Sequence, residues 1–337
     1  MPPSSAVPND SVAESQRILL ALWAGSESRG QAESLLTVLV AIGVNIVLAV
    51  AKSVAAVVTG SASMLAEAAH SWADAGNEFF LLMANRLALR PADRAYPLGH
   101  GREAYVWSLF AALGLFVAGA AVSVTHGVQQ LVRPEPAGDF VVGYVVLGGS
   151  FVLEGVSFLR SVHQAKAEAA SMQRDLIEHV LATSDPTLRA VVAEDAAALI
   201  GLVIAAFGLA IHQLTGSPVP DAVGSILVGV LLAVVAIVLI NRNRRFLVGQ
   251  EADPRLRAAT LLALLDAPEV ARVTYLRLEV VGPRMVSVVG NVDLTGDEPE
   301  SDVAVGLRAL EARISASPAV AGAVLSLSAP DEPILMA

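Results

Sequence analysis

Leu65-Ala66-Glu67-Ala68-Ala69-His70-Ser71-Trp72-Ala73-Asp74 lies inside a largely apolar stretch, about residues 63–85, that is long enough to cross a membrane. On a helix, Glu67, His70, Asp74 and Glu78 fall on one stripe, because residues three and four apart share a face. Ionisable groups cost several kcal/mol each in a bilayer core, so they face a polar cavity, an ion or one another. An imidazole and a carboxylate one turn apart make half of a metal site. The stripe therefore points to an ion path through the membrane.

Composition supports a membrane chain. Of its 337 residues, 55% are hydrophobic and 16% charged, and the mean hydropathy is +0.62. A net charge of −10 argues against a nucleic-acid partner. There is no cysteine, which excludes disulfides, thiolate metal sites and cysteine nucleophiles. The spectrum of metal ligands narrows to His, Asp, Glu and other oxygen groups. No His-Glu-x-x-His motif is present, so an intramembrane metallohydrolase is not expected.

Six stretches are long enough to span: about residues 33–58, 63–85, 104–131, 140–159, 190–214 and 221–240. Asn45 and Lys52 are embedded in the first, Glu154 in the fourth, and Glu194 and Asp195 near the start of the fifth. The third contains no charged residue. Basic residues fall in alternate connections: Arg86, Arg90, Arg94 and Arg102, then Arg160, Lys166, Arg174 and Arg189, then Arg242, Arg244 and Arg245. The positive-inside rule places these connections and both termini in the cytoplasm. Residues 1–30 read as a disordered cytoplasmic lead with a short amphipathic helix around 17–23. Residues 31–245 read as the six-helix membrane domain and 246–337 as a cytoplasmic α+β domain. In that tail, helix 256–265, strands 273–281 and 285–293, helix 302–315 and strand 320–327 make an αββαβ order, with Gly282-Pro283 as a hairpin turn.

The charged residues have competing readings. His70 and Asp74 read as ligands rather than as a structural pair. Glu67 and Glu78 read either as proton or ion relays or as groups near a water-accessible interface. Asp195 is the natural partner of His70 and Asp74 on the fifth span. Glu194 is turned about 100° from it on a helix and either pairs with Lys52 or acts at the cytoplasmic mouth. Asn45 and Glu154 read as polar contacts between helices. His126, His163, His179 and His212 read as surface or interfacial residues, and His100 sits in a turn at the cytoplasmic face.

The run Gly60-Ser61-Ala62-Ser63-Met64 followed by Leu65 to Asp74 resembles the second-helix signature of the cation diffusion facilitator family. Arg90-Pro91-Ala92-Asp93 with Pro97-Leu98-Gly99-His100-Gly101-Arg102-Glu103 resembles that family's next loop. The resemblance runs from about residue 33 to the end. It implies a homodimeric transporter of divalent cations in a lipid bilayer, not an enzyme, with six spans and a cytoplasmic α+β tail. The metal site it implies takes His70 and Asp74 from the second helix and Asp195 from the fifth. The remaining family position is Val191, so Glu194, Asn77 or water would complete the shell. Glu194-Asp195-Ala196-Ala197-Ala198 resembles the branch of mitochondrial zinc-exporter-like members. In the loop site Asp93 and His100 match, with Tyr96 where an intermediate His would stand. The tail has no His at all, so no binuclear tail site is expected.

The resulting expectation is a zinc/proton antiporter in a bacterial plasma membrane, exporting Zn²⁺ from the cytoplasm against protons. The alternatives are a Mn²⁺, Fe²⁺ or Co²⁺ exporter of the same fold, or a non-transporting membrane metal sensor or scaffold.

Overall fold

A computed structural model describes residues 35–134, 138–172 and 174–336. The lead segment, including the helix expected around 17–23, lies outside the described residues. The membrane part consists of α1 (Leu35–Thr59), α2 (Ala62–Ala88), α3 (Glu103–Val132), α4 (Phe140–Ser171), the short α5 (Leu176–Ala182), α6 (Pro186–Thr215) and α7 (Val219–Val248). Five of these carry stretches long and apolar enough to cross a membrane: 42–59 in α1, Glu103–Val132, Phe140–Ala170, Pro186–Thr215 and Val219–Val248. The short α5 and α2 are not among them. At 27 residues α2 is about 40 Å long, yet it carries Glu67, His70, Asp74, Glu78 and Arg86. It packs against α1, α3, α6 and α7; Glu67 and His70 are buried there, while Arg86 near its end is exposed.

The burial pattern suits lipid. Val57, Phe151, Phe207 and Val234 point outward, while Lys52, Glu67, His70 and Asn77 are buried. In hydrocarbon the usual inside-out rule reverses, because only groups within the bundle can satisfy polar atoms. The helices approach closely through small residues. A Cβ built on Gly127 of α3 would lie 2.8 Å from Ala222 O, and one on Gly229 of α7 2.9 Å from Ala120 O, so both positions need glycine for that packing. A π-helical turn, residues 112–116, interrupts α3 where it passes α2 and α7.

Helix starts follow the sequence. Asp139 accepts from the Val141 amide at the start of α4, Asp185 from Thr187 and Leu188 at the start of α6, and Asp253 from Arg255 at the start of the helix Pro254–Leu265. Pro186 and Pro254 each take the first helical turn, where a missing N–H costs nothing.

The tail comprises α8 (Pro254–Leu265), β1 (Val270–Gly282), β2 (Met285–Leu294), α9 (Glu300–Ser315) and β3 (Val320–Leu327), in the αββαβ order expected. The sheet order is β1-β2-β3, with β1 antiparallel and β3 parallel to β2. The hairpin turn holds Pro283 and Arg284, and Arg284 has φ 56°, where a residue without a β-branch is tolerated.

The fourth helix runs past the end expected for its span: α4 continues to Ser171, so Arg160 and Lys166 ride on it. That extension meets the tail. Arg284 of the hairpin donates to both Glu168 oxygens at 2.8 Å, and Arg174 pairs with Asp253. On the opposite side, Arg102 donates to Glu279 at 2.5 Å. Gly101 sits so close to β1 that a Cβ there would be 2.7 Å from Val281 O. Tyr105 of α3 stacks on Phe246 of α7, ring centroids 5.0 Å apart, inside the apolar core that the tail shares with them.

Candidate metal centre

The position of the α2 stripe is set at the end where α2 begins. Ser61 caps the helix, accepting from the Met64 amide. Asp221 of α7, 0% exposed, accepts from Ser61 Oγ and the Ala62 amide at 2.7 Å each, and from Ser63 Oγ. A carboxylate at a helix N-terminus meets both the unpaired amides and the positive end of the helix dipole. Asp221 thus ties α2 to α7 from 160 residues away. Its sequence signal was an Asp at the head of an apolar run.

Deeper in, Lys52 of α1 forms a buried triad. Its Nζ lies 3.0 Å from Glu67 Oε2 and 2.7 Å from Glu154 Oε1. This corrects the expected pairing of Lys52 with Glu194. It supports Glu154 as a contact between helices, and Asn45 likewise donates to Glu78 Oε1 at 2.6 Å. Gly201 of α6 passes directly over Glu67: a Cβ there would lie 2.3 Å from Oε1. Gly201→Ala is expected to cost about 1–3 kcal/mol through overpacking, read as a lower unfolding temperature in detergent. An unchanged transition would mean that Glu67 swings aside freely.

One turn along from Glu67, His70 Nε2 lies 3.3 Å from Asp74 Oδ1, aligned too poorly for a hydrogen bond. Both His70 nitrogens and Asp74 Oδ1 are buried without hydrogen-bond partners, as is Glu78 Oε2. Across from them on α6, Glu194 and Asp195 diverge as the helix turn requires. Glu194 accepts from Asn77 Nδ2 of α2 at 2.5 and 2.7 Å. Asp195 turns to α4 and accepts from Ser157 at 3.2 Å and Ser161 at 3.0 Å. Among the described residues, no three His, Asp or Glu side chains stand close enough to hold a metal as they are. What the structure offers is a His70–Asp74 pair whose facing atoms lack hydrogen-bond partners, on a helix packed against the α6 that carries Glu194 and Asp195, and that donor set fits a cation.

The loop residues Asp93 and His100 also meet, His100 Nε2 to Asp93 Oδ2 at 3.1 Å, with the Tyr96 ring tilted against the imidazole, centroids 4.3 Å apart. Asp93 is exposed. The His100 hydrogen bond, with the Tyr96 and Ala95 amides, holds its carboxyl below the usual range. The remaining histidines divide. His163 is exposed and His126 half-buried. His179 and His212, expected at the surface, are 2% and 4% exposed. His179 sits under Glu168, Nε2 to Oε2 at 3.5 Å, and His212 meets the Phe140 ring edge-on. Short-range sequence gave no sign of either partner. The same holds for Arg189, 1% exposed, which donates to Thr183 O at 2.5 Å and Asn243 Oδ1 at 3.1 Å at the base of α6.

Residues 38–248 match the family model described as cation efflux transmembrane domain. Among known proteins, the chain is 36% identical over 233 residues to the Arabidopsis thaliana metal tolerance protein C4, covering 69% of this chain and 51% of that one. It is 34% identical over 260 residues to the Xenopus laevis mitochondrial proton-coupled zinc antiporter SLC30A9, covering 77% of this chain and 46% of that one. A shorter match, 34% over 124 residues, joins it to the Klebsiella pneumoniae cation-efflux pump FieF, with 36% and 40% coverage. The chain spans about half the length of the first two relatives. With the family domain matched across the whole helical bundle that holds the His70–Asp74 stripe, this chain is an integral membrane protein that belongs to the cation efflux family, the cation diffusion facilitators.

Proposed function

We propose that the chain is a proton-coupled exporter of a divalent cation, with Zn²⁺ as the leading substrate. The observation that carries this reading is the buried His70–Asp74 pair, whose metal-facing atoms have no protein partner. His70 would supply nitrogen and Asp74 and Asp195 oxygen. That mixed set suits Zn²⁺ with one further ligand from Glu194, Asn77 or water. Asp195 is taken as the α6 ligand because it stands at the position that the family resemblance matches; both it and Glu194 accept from neutral donors at both oxygens. A neutral imidazole and ionised carboxylates bind metal, so loading the site releases protons and acid expels the cation. That linkage is the basis of exchange. The resemblance to the relative whose name includes proton-coupled zinc antiport supports the same cargo and counter-ion.

In this reading α2 is the sixth span, the termini share the side of the basic loops, two copies pair, and the membrane is a bacterial plasma membrane. Flux in proteoliposomes with a pH gradient, run with Zn²⁺, Mn²⁺, Fe²⁺, Co²⁺ and Cd²⁺ side by side, tests it. Zn²⁺ movement against protons is expected. Absence of flux for all five would favour a sensor or scaffold.

Orientation has its own test, since the chain lacks cysteine. Cysteines placed at Ser217 and Ser301 are expected to react from outside at the first position only. The reverse labelling would overturn the topology.

A further inference from the structure

Glu67 is anchored at one oxygen. Lys52 holds its Oε2 at 3.0 Å, and the two residues are 1% and 0% exposed. Its other oxygen, Oε1, is buried without a hydrogen-bond partner, and so is His70 Nδ1. Both atoms lie over one point of α6: a Cβ built on Gly201 would be 2.3 Å from Glu67 Oε1 and 3.9 Å from His70 Nδ1. The two residues are three apart on α2 and share its face. The opposite ring nitrogen of His70, Nε2, faces Asp74 at 3.3 Å. An imidazole that ligates through one nitrogen is oriented by an acceptor on its other N–H, most often a carboxylate or carbonyl.

We propose that Glu67 is a positioning residue for His70: anchored by Lys52, its Oε1 accepts the Nδ1–H of the imidazole and leaves Nε2 bare for the divalent cation. Lys52 makes this arrangement tenable. A lone carboxylate buried behind a metal ligand would be costly, and the ammonium both offsets the charge and fixes where Oε2 sits. Glu154, reaching from α4, is the second carboxylate partner of Lys52, at 2.7 Å. Gly201 leaves the space in which the carboxylate and imidazole can meet.

The proposal rests on His70 and Asp74 being ligands, and the experiment separates the two. Full-length protein in detergent is titrated with Zn²⁺, and ¹⁵N spectra of its labelled imidazoles are recorded, with His70→Ala identifying the His70 signals. Glu67→Gln is expected to weaken Zn²⁺ binding about 10- to 100-fold and to shift His70 away from the Nδ1–H tautomer. Glu154→Gln removes the same charge from the second partner of Lys52 and is expected to change neither. The double variant His70→Ala/Glu67→Gln is expected to bind no more weakly than His70→Ala. The positioning role is overturned if Glu67→Gln keeps wild-type affinity and tautomer while His70→Ala loses binding. It is equally overturned if Glu154→Gln reproduces the Glu67→Gln defect, which would mark a general charge effect. If His70→Ala binds Zn²⁺ as well as wild type, the ligand reading itself fails and the positioning role falls with it.

Discussion

Asp74→Asn is expected to lower Zn²⁺ flux by about 100-fold or more while leaving a folded, membrane-inserted protein. Partners outside the ligand shell already cost 10- to 100-fold, so loss of a ligand charge costs at least as much. The amide keeps the shape of the carboxylate but neither offsets a divalent charge nor exchanges it for a proton. Neither His70 Nε2 nor Asp74 Oδ1 has a hydrogen-bond partner, so the substitution is expected to spare the fold. His70→Ala and Asp195→Ala should fail similarly. Glu194→Gln should do less, since Asp195 is the acid assigned as the ligand on α6. His70→Asp is expected to retain activity and to shift preference toward Mn²⁺, which favours oxygen. The sign with pH follows from competition: protons displace metal from imidazole and carboxylate, so apparent affinity falls as pH falls. Wild-type flux from both Asp74→Asn and Asp195→Ala would sink the site assignment.

Lys52→Met should instead strike stability, by about 3–5 kcal/mol, the usual loss when one partner of a buried ion pair is removed. Two carboxylates, Glu67 at 0% and Glu154 at 14% exposure, would then face each other without a counter-charge. The expected readout is a large drop in the detergent unfolding temperature and in the yield of monodisperse protein. The triple variant Lys52→Met/Glu67→Gln/Glu154→Gln removes all three charges together and should recover most of that loss, though not metal affinity. An unchanged unfolding temperature for Lys52→Met alone would show that water reaches the triad and that it is not the tie between α1, α2 and α4.

The loop-to-tail contact shows how local and distant information divide. Gly99 to Glu103 was readable as a turn from its glycines, and the hairpin at Pro283 from its proline. That the two turns press together, Gly101 against Gly282, depends on how the tail docks on the bundle. In the same docking, the extended end of α4 places Glu168 where it receives Arg284. Arg174, counted in sequence as a loop charge, is held below the usual guanidinium range chiefly by burial, with Arg255 nearby.

By itself the sequence determined the order of the long apolar helices, the stripe of ionisable residues on one face of α2 and the αββαβ order of the tail. Those features repeat over a few residues and follow from helix period, strand alternation and bilayer thickness. Only the tertiary structure decided which charge meets which. Lys52 takes Glu67 and Glu154 rather than Glu194, Asp221 caps α2, Asn77 clasps Glu194, and Arg189, His179 and His212 are buried. The physical reason is range. A buried charge is satisfied by whatever group packing brings within about 3 Å, and in this bundle that group lies up to 160 residues away.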